Sequence, residues 1–240
     1  MKNILTPLIL LLSLNMISAQ DEIKTQNGSF TIYFVGHGTL YIEYNETIIH
    51  IDPWSKLSDY SQLPDADFIL ITHQHRDHLD AGAIREIIKE NTQIFAPSVC
   101  KEGLEEFTQV AFLKNNDKLQ TTFGELMAVP AYNIVHIRDN NMPYHPKGEG
   151  NGYVLNIDGK KVYVAGDTEN IPEMNELKNI DIAFLPMNLP YTMTPEMVSK
   201  AVEMIKPVIL YPYHYGETDT DILVNLLKDS STEVRIRNMK

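Results

Sequence analysis

Cysteine is almost missing from this chain: Cys100 is the only one in 240 residues, so no intrachain disulfide can form. Positive charge is also scarce. Twenty Lys and Arg stand against 32 Asp and Glu, a formal net charge of −12, and a surface of that sign repels polyanions. Nucleic acid is therefore excluded as an expected partner. No apolar run reaches the roughly 20 residues that a membrane-spanning helix needs. Gly and Pro, at 12 and 13, are near ordinary usage, which leaves no low-complexity segment, and no repeat recurs at solenoid spacing. With 43% hydrophobic residues, what remains is one compact globular domain.

The longest apolar stretch, Leu5 to Ile17, follows Lys2 and ends at Ser18-Ala19-Gln20 before the polar switch Asp21-Glu22-Ile23-Lys24. A weakly positive start, an apolar run of roughly 13 residues and small residues behind it have the layout of a cleaved secretion signal. Residues 1–20 are accordingly expected to be removed after Ala19 or Gln20, leaving 21–240 as a single exported domain, periplasmic or extracellular. Cys100 lies far from that boundary, so no thiol is there to be lipidated.

Beyond the boundary the patterning is first that of strands. Phe30 to Val35, Thr39 to Tyr44 and Thr47 to Ile51 are β-branched and aromatic runs separated by Gly36/Gly38 and Asn45-Glu46, an antiparallel meander. Phe68 to Ile71 is a short continuous apolar run suited to a strand buried on both faces. The period then changes: Ala83, Ile84, Ile87 and Ile88 predict a helix over roughly 80–90, starting after Asp80. Glu125 to Val129, Gly152 to Ile157 and Lys161 to Ala165 read as strands, the last two joined by an Asp158-Gly159 turn. Ile180 to Leu185 and Val208 to Tyr211 are two more. Thr194-Pro195-Glu196 opens a helix that must stop before Pro207, and Asp219 to Lys228 is a final one. Two strand-rich halves, each ending in helices, predict two sheets packed face to face with helices outside. The stretch from Asn133 to Asn151, with Pro143, Pro146, Gly148 and Gly150, is the longest without regular structure and reads as a binding loop.

Thr72-His73-Gln74-His75-Arg76-Asp77-His78-Leu79-Asp80 carries the chemistry. A strand ending near Ile71 delivers His73 and His75 to one side, because residues i and i+2 share a face in extended chain. Asp77 and His78 follow at a helix entrance, where a carboxylate and an imidazole reach a second metal nearby.

This H-x-H-x-D-H run resembles the signature of the metallo-β-lactamase superfamily. Gly36-His37-Gly38-Thr39, Ile51-Asp52-Pro53-Trp54, Ala165-Gly166-Asp167-Thr168 and Pro212-Tyr213-His214-Tyr215-Gly216 continue the likeness in that superfamily's order. The Gly-His start is similar to the branch containing L-ascorbate-6-phosphate lactonase and N-acyl-phosphatidylethanolamine phospholipase D. The resemblance implies an α+β fold, a four-layer αββα sandwich of two mixed sheets, with a dinuclear site at one edge. It also implies that His73 and His75 bind the first metal, that Asp77, His78 and His214 bind the second, and that Asp167 bridges both.

The residues have their own case. Asp167 follows Gly166 at a strand end, where a carboxylate is presented as a ligand or as a helix cap. His214 follows a buried strand and suits either a ligand or a hydrogen-bonded core histidine. Asp52 beside Pro53 is placed to orient a ligand imidazole from behind or to form a turn. The chain departs from the superfamily at Asn133, where a histidine ligand is usual. Amide is a poor zinc ligand, so His145 is expected to complete the first site, with His136 or a water as the alternative and Asn133 as a supporting neighbour.

Two divalent ions, zinc or else manganese or iron, would hold a shared water as hydroxide for attack on a carbonyl or phosphoryl group, with Asp77 and Asp167 the carboxylates nearest the chemistry. A small phosphoester, lactone or ester is the expected substrate. Lys147, His37 and Tyr191 are candidates to bind it. A metal-binding protein without catalysis and a true β-lactamase are the competing readings, and exposed tyrosines permit a homo-oligomer.

Overall fold

A computed structural model describes residues 19–240, so the apolar stretch of the expected secretion signal lies outside the described residues. Strands β1 (Gln20–Lys24), β2 (Ser29–Gly36), β3 (Thr39–Tyr44), β4 (Thr47–Ile51), β5 (Ala66–Leu70), β6 (Ile88–Ala96) and β7 (Val110–Phe112) form one sheet in that spatial order. Strands β8 (Lys118–Thr121), β9 (Gly124–Ala131), β10 (Gly150–Ile157), β11 (Lys160–Val164), β12 (Ile182–Pro186), β13 (Ile209–Tyr213) and β14 (Glu233–Val234) form the other, again side by side in chain order. Each sheet begins as an antiparallel meander and turns parallel in its second half. Parallel neighbours need crossovers, and these carry the helices: α1 (Ala81–Ile87) between β5 and β6, α2 (Pro195–Ile205) between β12 and β13, and α3 (Thr220–Leu226) after β13. The result is the expected four-layer sandwich of two mixed sheets.

Alternation in β2 turns Phe30, Ile32 and Phe34 inward, where Phe34 meets Phe184 and Tyr211 of the facing sheet at ring distances of 6.3 and 5.1 Å. β5 serves two cores. Phe68 and Leu70 face the other sheet, while Ile69 and Ile71 pack with Ala83, Ile84 and Ile87 of α1. That is the two-faced burial its continuous apolar run predicted. The Thr194 hydroxyl caps α2 by accepting from the Met197 amide, and Lys206, at φ 54°, ends it before Pro207. Among the described residues no helix is long and apolar enough to cross a membrane.

Some boundaries differ from the expectation. The helix read over 80–90 stops at Ile87, and Ile88 opens β6 opposite Ala66 of β5, so pairing with a buried strand overrides the helical period. β7, β8 and β14 carry too few periodic residues to stand out. β1 begins at the expected cleavage boundary: the Ala19 carbonyl accepts from Phe34 N at 2.9 Å and Gln20 pairs with Tyr33.

His50 on β4 is a core histidine away from the metal motif. It stacks on Tyr41 at 5.0 Å and its Nε2 lies 3.0 Å from the Pro64 carbonyl, and burial holds its pKa down at about 4. The unfolded chain takes up a proton near pH 6.5 that the folded ring refuses until about pH 4, so this residue's contribution is intact above pH 6.5 and is lost as the pH falls. The loss approaches about 3 kcal/mol by pH 4. His50→Phe is expected to flatten the fall in stability between pH 6.5 and 4 relative to wild type, as read by urea unfolding at stepped pH.

Candidate metal centre

All of the histidines and carboxylates of the sequence motifs except Asp80 arrive at one edge of the sandwich. The segment after β5 brings His73, His75, Asp77 and His78, β4 leads to Asp52, β9 runs into Asn133, β11 leads to Asp167, and β13 leads to His214. The β2–β3 turn adds His37. Three of these residues hold left-handed backbone, His37 at φ 52°, Asp52 at 46° and His214 at 47°. Such conformations cost on the order of 1 kcal/mol each, and here they aim side chains that extended backbone would direct elsewhere.

Two ligand-bearing sets face each other. In the first, His73 Nε2 and His145 Nε2 lie 3.0 and 3.2 Å from His75 Nδ1, and His145 Nε2 is 3.3 Å from Asp167 Oδ2. In the second, Asp77 Oδ2 is 3.0 Å from His37 Nε2, 3.5 Å from His214 Nε2 and 3.8 Å from His78 Nε2. Asp167 stands between them, with Oδ1 3.5 Å from His78 Nε2 and Oδ2 3.7 Å from His214 Nε2.

The opposite ring nitrogens set the tautomers. His78 Nδ1 donates to Asp52 Oδ2 at 2.8 Å, and His145 Nδ1 donates to Asn133 Oδ1 at 2.6 Å. Thr72 gives its hydroxyl proton to Asp52 at 2.6 Å and accepts from His73 Nδ1 at 3.0 Å. In the neutral ring each Nε2 is thereby left as a lone pair aimed into the cluster. His78 Nε2, Asp167 Oδ1 and His214 Nε2 are buried without a hydrogen-bond partner. Unpaired buried acceptors are costly, and lone pairs crowded at about 3 Å repel unless a cation joins them. The donor set of imidazole nitrogen and carboxylate oxygen suits a divalent transition metal.

Electrostatics support that reading. Burial works against ionising Asp167, but His214, His78 and His145 around it hold its pKa well below the usual carboxylate range. Asp77 is likewise lowered despite burial, by the facing imidazoles of His214 and His37, the latter hydrogen-bonded to it at 3.0 Å. Burial, reinforced by the neighbouring His145, brings His75 down to about 4, so it is neutral at pH 7. His78 is pushed up to about 9, because Asp167 and Asp52 outweigh its burial, so at pH 7 its Nε2 carries a proton that a metal ion would have to displace.

A family pattern for the β-lactamase superfamily domain matches residues 31–214, from β2 to the last histidine of the site. The chain belongs to the β-lactamase superfamily. Within it, the chain is 35% identical over 192 residues to a UPF0173 metal-dependent hydrolase of Enterococcus faecalis, covering 75% of this chain and 84% of that one. A UPF0173 metal-dependent hydrolase of Pyrococcus abyssi is 32% identical over 197 residues, covering 77% and 84%. The crystal structure of a Parabacteroides distasonis protein, named as a candidate metal-dependent hydrolase, superposes with a TM-score of 0.87 at 47% identity, covering 93% of this chain and all of that one. The superfamily member described here is thus a metal-dependent hydrolase.

The structure departs from the sequence reading at three side chains. Lys147, expected at the substrate, points away: its ammonium pairs with Glu173 at 2.7 Å, lies over the Tyr132 ring and does not line the cavity above the metal centre. His136 is not part of either set and lies 2.7 Å from Glu169 Oε1. Glu169 also accepts from the amides of Ile134, Val135 and His136, anchoring the start of the 133–149 loop. His37 lines the cavity but leans on the second set, stacked on His214 at 3.7 Å. Tyr191 stands at the cavity wall, edge-on to Tyr144 at 5.1 Å. Sequence reasoning passed over Arg76 and Arg138, which share that wall.

Gly38 shows why the Gly-His-Gly turn tolerates no side chain: a Cβ there would sit 2.8 Å from His78 Cε1. Gly38→Ala is expected to push the His78 ring off its position and to weaken metal binding about 10-fold or more, read by equilibrium dialysis against zinc.

Proposed function

We propose that the protein is an exported dinuclear hydrolase that opens a phosphoester, lactone or ester of a small molecule. The observation that carries the reading is the pair of facing ligand sets that share Asp167, with three of their donor atoms buried and unpartnered. His73, His75 and His145 would hold one ion, Asp77, His78 and His214 the other, and Asp167 would serve both. Zinc fits this donor set best, with manganese and iron as alternatives. Bound there, the pair of ions supplies a water activated near neutral pH and Lewis-acid polarisation of a carbonyl or phosphoryl oxygen.

The chain's own residues do the rest. Asp52, Thr72 and Asn133 hold three imidazoles in the ligand tautomer. The ionised carboxylates of Asp77 and Asp167 offset the charge brought into a largely buried site. A cavity of about 500 Å3 opens above them and is walled by Tyr144 and Tyr191, room for a small molecule. The net charge of −12 argues against a polynucleotide. Export rests on the N-terminal apolar segment and its small-residue boundary.

Metal content per chain, measured by plasma mass spectrometry on protein purified without chelator, tests this. About two ions are expected, falling toward one in His145→Ala, together with chelator-sensitive turnover of a phosphoester or lactone panel. One ion or none in the wild type overturns the dinuclear reading. Mass determination of protein recovered from outside the cytoplasm is expected to show a start after Ala19 or Gln20.

A further inference from the structure

The chain has five arginines, and their partners divide them sharply. Arg85 forks onto Glu106 at 2.8 and 2.6 Å, Arg235 onto Glu233 at 2.7 and 2.9 Å, and Arg237 onto Asp21 at 2.7 and 2.6 Å. Arg76 and Arg138 have no carboxylate. Arg76 makes no hydrogen bond or ion pair among the described residues, and the Arg138 guanidinium touches only Tyr144, donating to its carbonyl at 3.3 Å and lying 5.0 Å from its ring centre. Both are exposed, and both line the cavity over the metal centre. They come from different loops, the motif between the ligands His75 and Asp77 and the long 133–149 segment. Among the described residues the carboxylates sharing the cavity are Asp77 and Asp167, both surrounded by histidines.

An arginine fork presents parallel N–H donors matched to carboxylate and phosphate oxygens. Tyr144 contacts Arg138 from one side and leaves most of its donors open to an anion. A pair of such cations also reverses, locally, the field of an acidic protein. Resting on the hydrolase reading above, we propose that the substrate carries a second anionic group, a carboxylate or a phosphate remote from the bond that is broken, and that Arg76 and Arg138 bind it. The substrate class narrows to small anionic esters, lactones or phosphoesters. Lys147, held by Glu173, takes no part.

The test compares product-like ligands with and without a second anion on the zinc-loaded full-length mature protein. Calorimetric titrations would use dicarboxylates from malonate to adipate, monocarboxylates of equal carbon number, and the corresponding phosphonocarboxylates. At the best length the doubly anionic ligand is expected to bind at least about tenfold more tightly than its monocarboxylate, and whether carboxylate or phosphonate gains more identifies the anion. In Arg76→Gln/Arg138→Gln the ratio is expected to fall to about twofold or less with the metal content unchanged, and Arg→Lys variants to recover part of it. A ratio near one in wild type that carries two metals overturns this inference alone. So does a ratio that survives the double substitution. Wild type that carries fewer than two metals and binds neither class overturns the dinuclear reading, and this inference with it.

Discussion

Asp167→Ala is expected to strip the protein of its second metal ion and to lower kcat/KM by about 10³-fold or more, a loss of several kcal/mol of transition-state stabilisation. Among the described residues Asp167 is the one carboxylate within 4 Å of His73, His78, His145 and His214 together. Without its carboxylate four buried imidazoles lose their shared counter-charge, and a cation placed among them has less negative charge to meet it. Metal analysis beside steady-state kinetics checks this. Two tightly held ions in the variant would show that Asp167 is dispensable and would sink the shared-carboxylate arrangement. Asp167→Asn keeps the shape and removes the charge, so it is expected to resemble the alanine variant in activity while folding like the wild type.

Asp52→Ala is expected to weaken both ions at once, by about 10–100-fold in affinity, although Asp52 belongs to neither ligand set. Its two oxygens accept from the Thr72 amide at 2.7 Å, the Thr72 hydroxyl at 2.6 Å and His78 Nδ1 at 2.8 Å. Through Thr72 it acts on His73 in the first set, and directly it acts on His78 in the second. Asp52 and His78 are fully buried, so removing the carboxylate leaves an imidazole and an amide unpaired, at about 3–5 kcal/mol of stability. Competition against a chromophoric chelator separates the two binding steps, and urea unfolding reads the stability. Weakening of the second step alone would show that Thr72 does not transmit the effect. Activity restored by added zinc would mark Asp52 as a positioning residue.

Much of the architecture was legible because it is written at short range. Alternating burial in β2, the two-faced run of β5, the Asp158-Gly159 turn and the Thr194-Pro195 start of α2 are all set by neighbours within a few residues. The reading failed where pairing decided. Ile88 continues the apolar period of α1 and its amide still donates to the Ile84 carbonyl, yet its backbone has turned extended beside Ala66 of β5 and the chain becomes a strand. The strands β7 and β14 exist because an edge was there to pair with.

The site divides in the same way. The i, i+2 spacing of His73 and His75 and the adjacent Asp77-His78 put four candidate ligands in six residues, and their residue types alone name divalent-metal chemistry. Asp167 and His214, alone, had ordinary alternatives as a helix cap and a core histidine. That the Asn133 amide turns His145 toward His75 depends on β9 ending beside a loop that returns 12 residues later. Nor does any spacing reveal that Lys147 is taken by Glu173 while Arg76 and Arg138 stay free, since ion pairing is a matter of which side chains meet. The sequence by itself determined the strand-rich two-sheet plan, the acidic surface and the metal chemistry of the His73–His78 segment, because backbone periodicity and donor type are local properties. The tertiary structure alone decided which distant donors complete the cluster, which tautomers they present and which cations remain for a ligand, because these follow from strand ends as far apart as those before His37 and His214, 177 residues along the chain (214 − 37), converging on one edge.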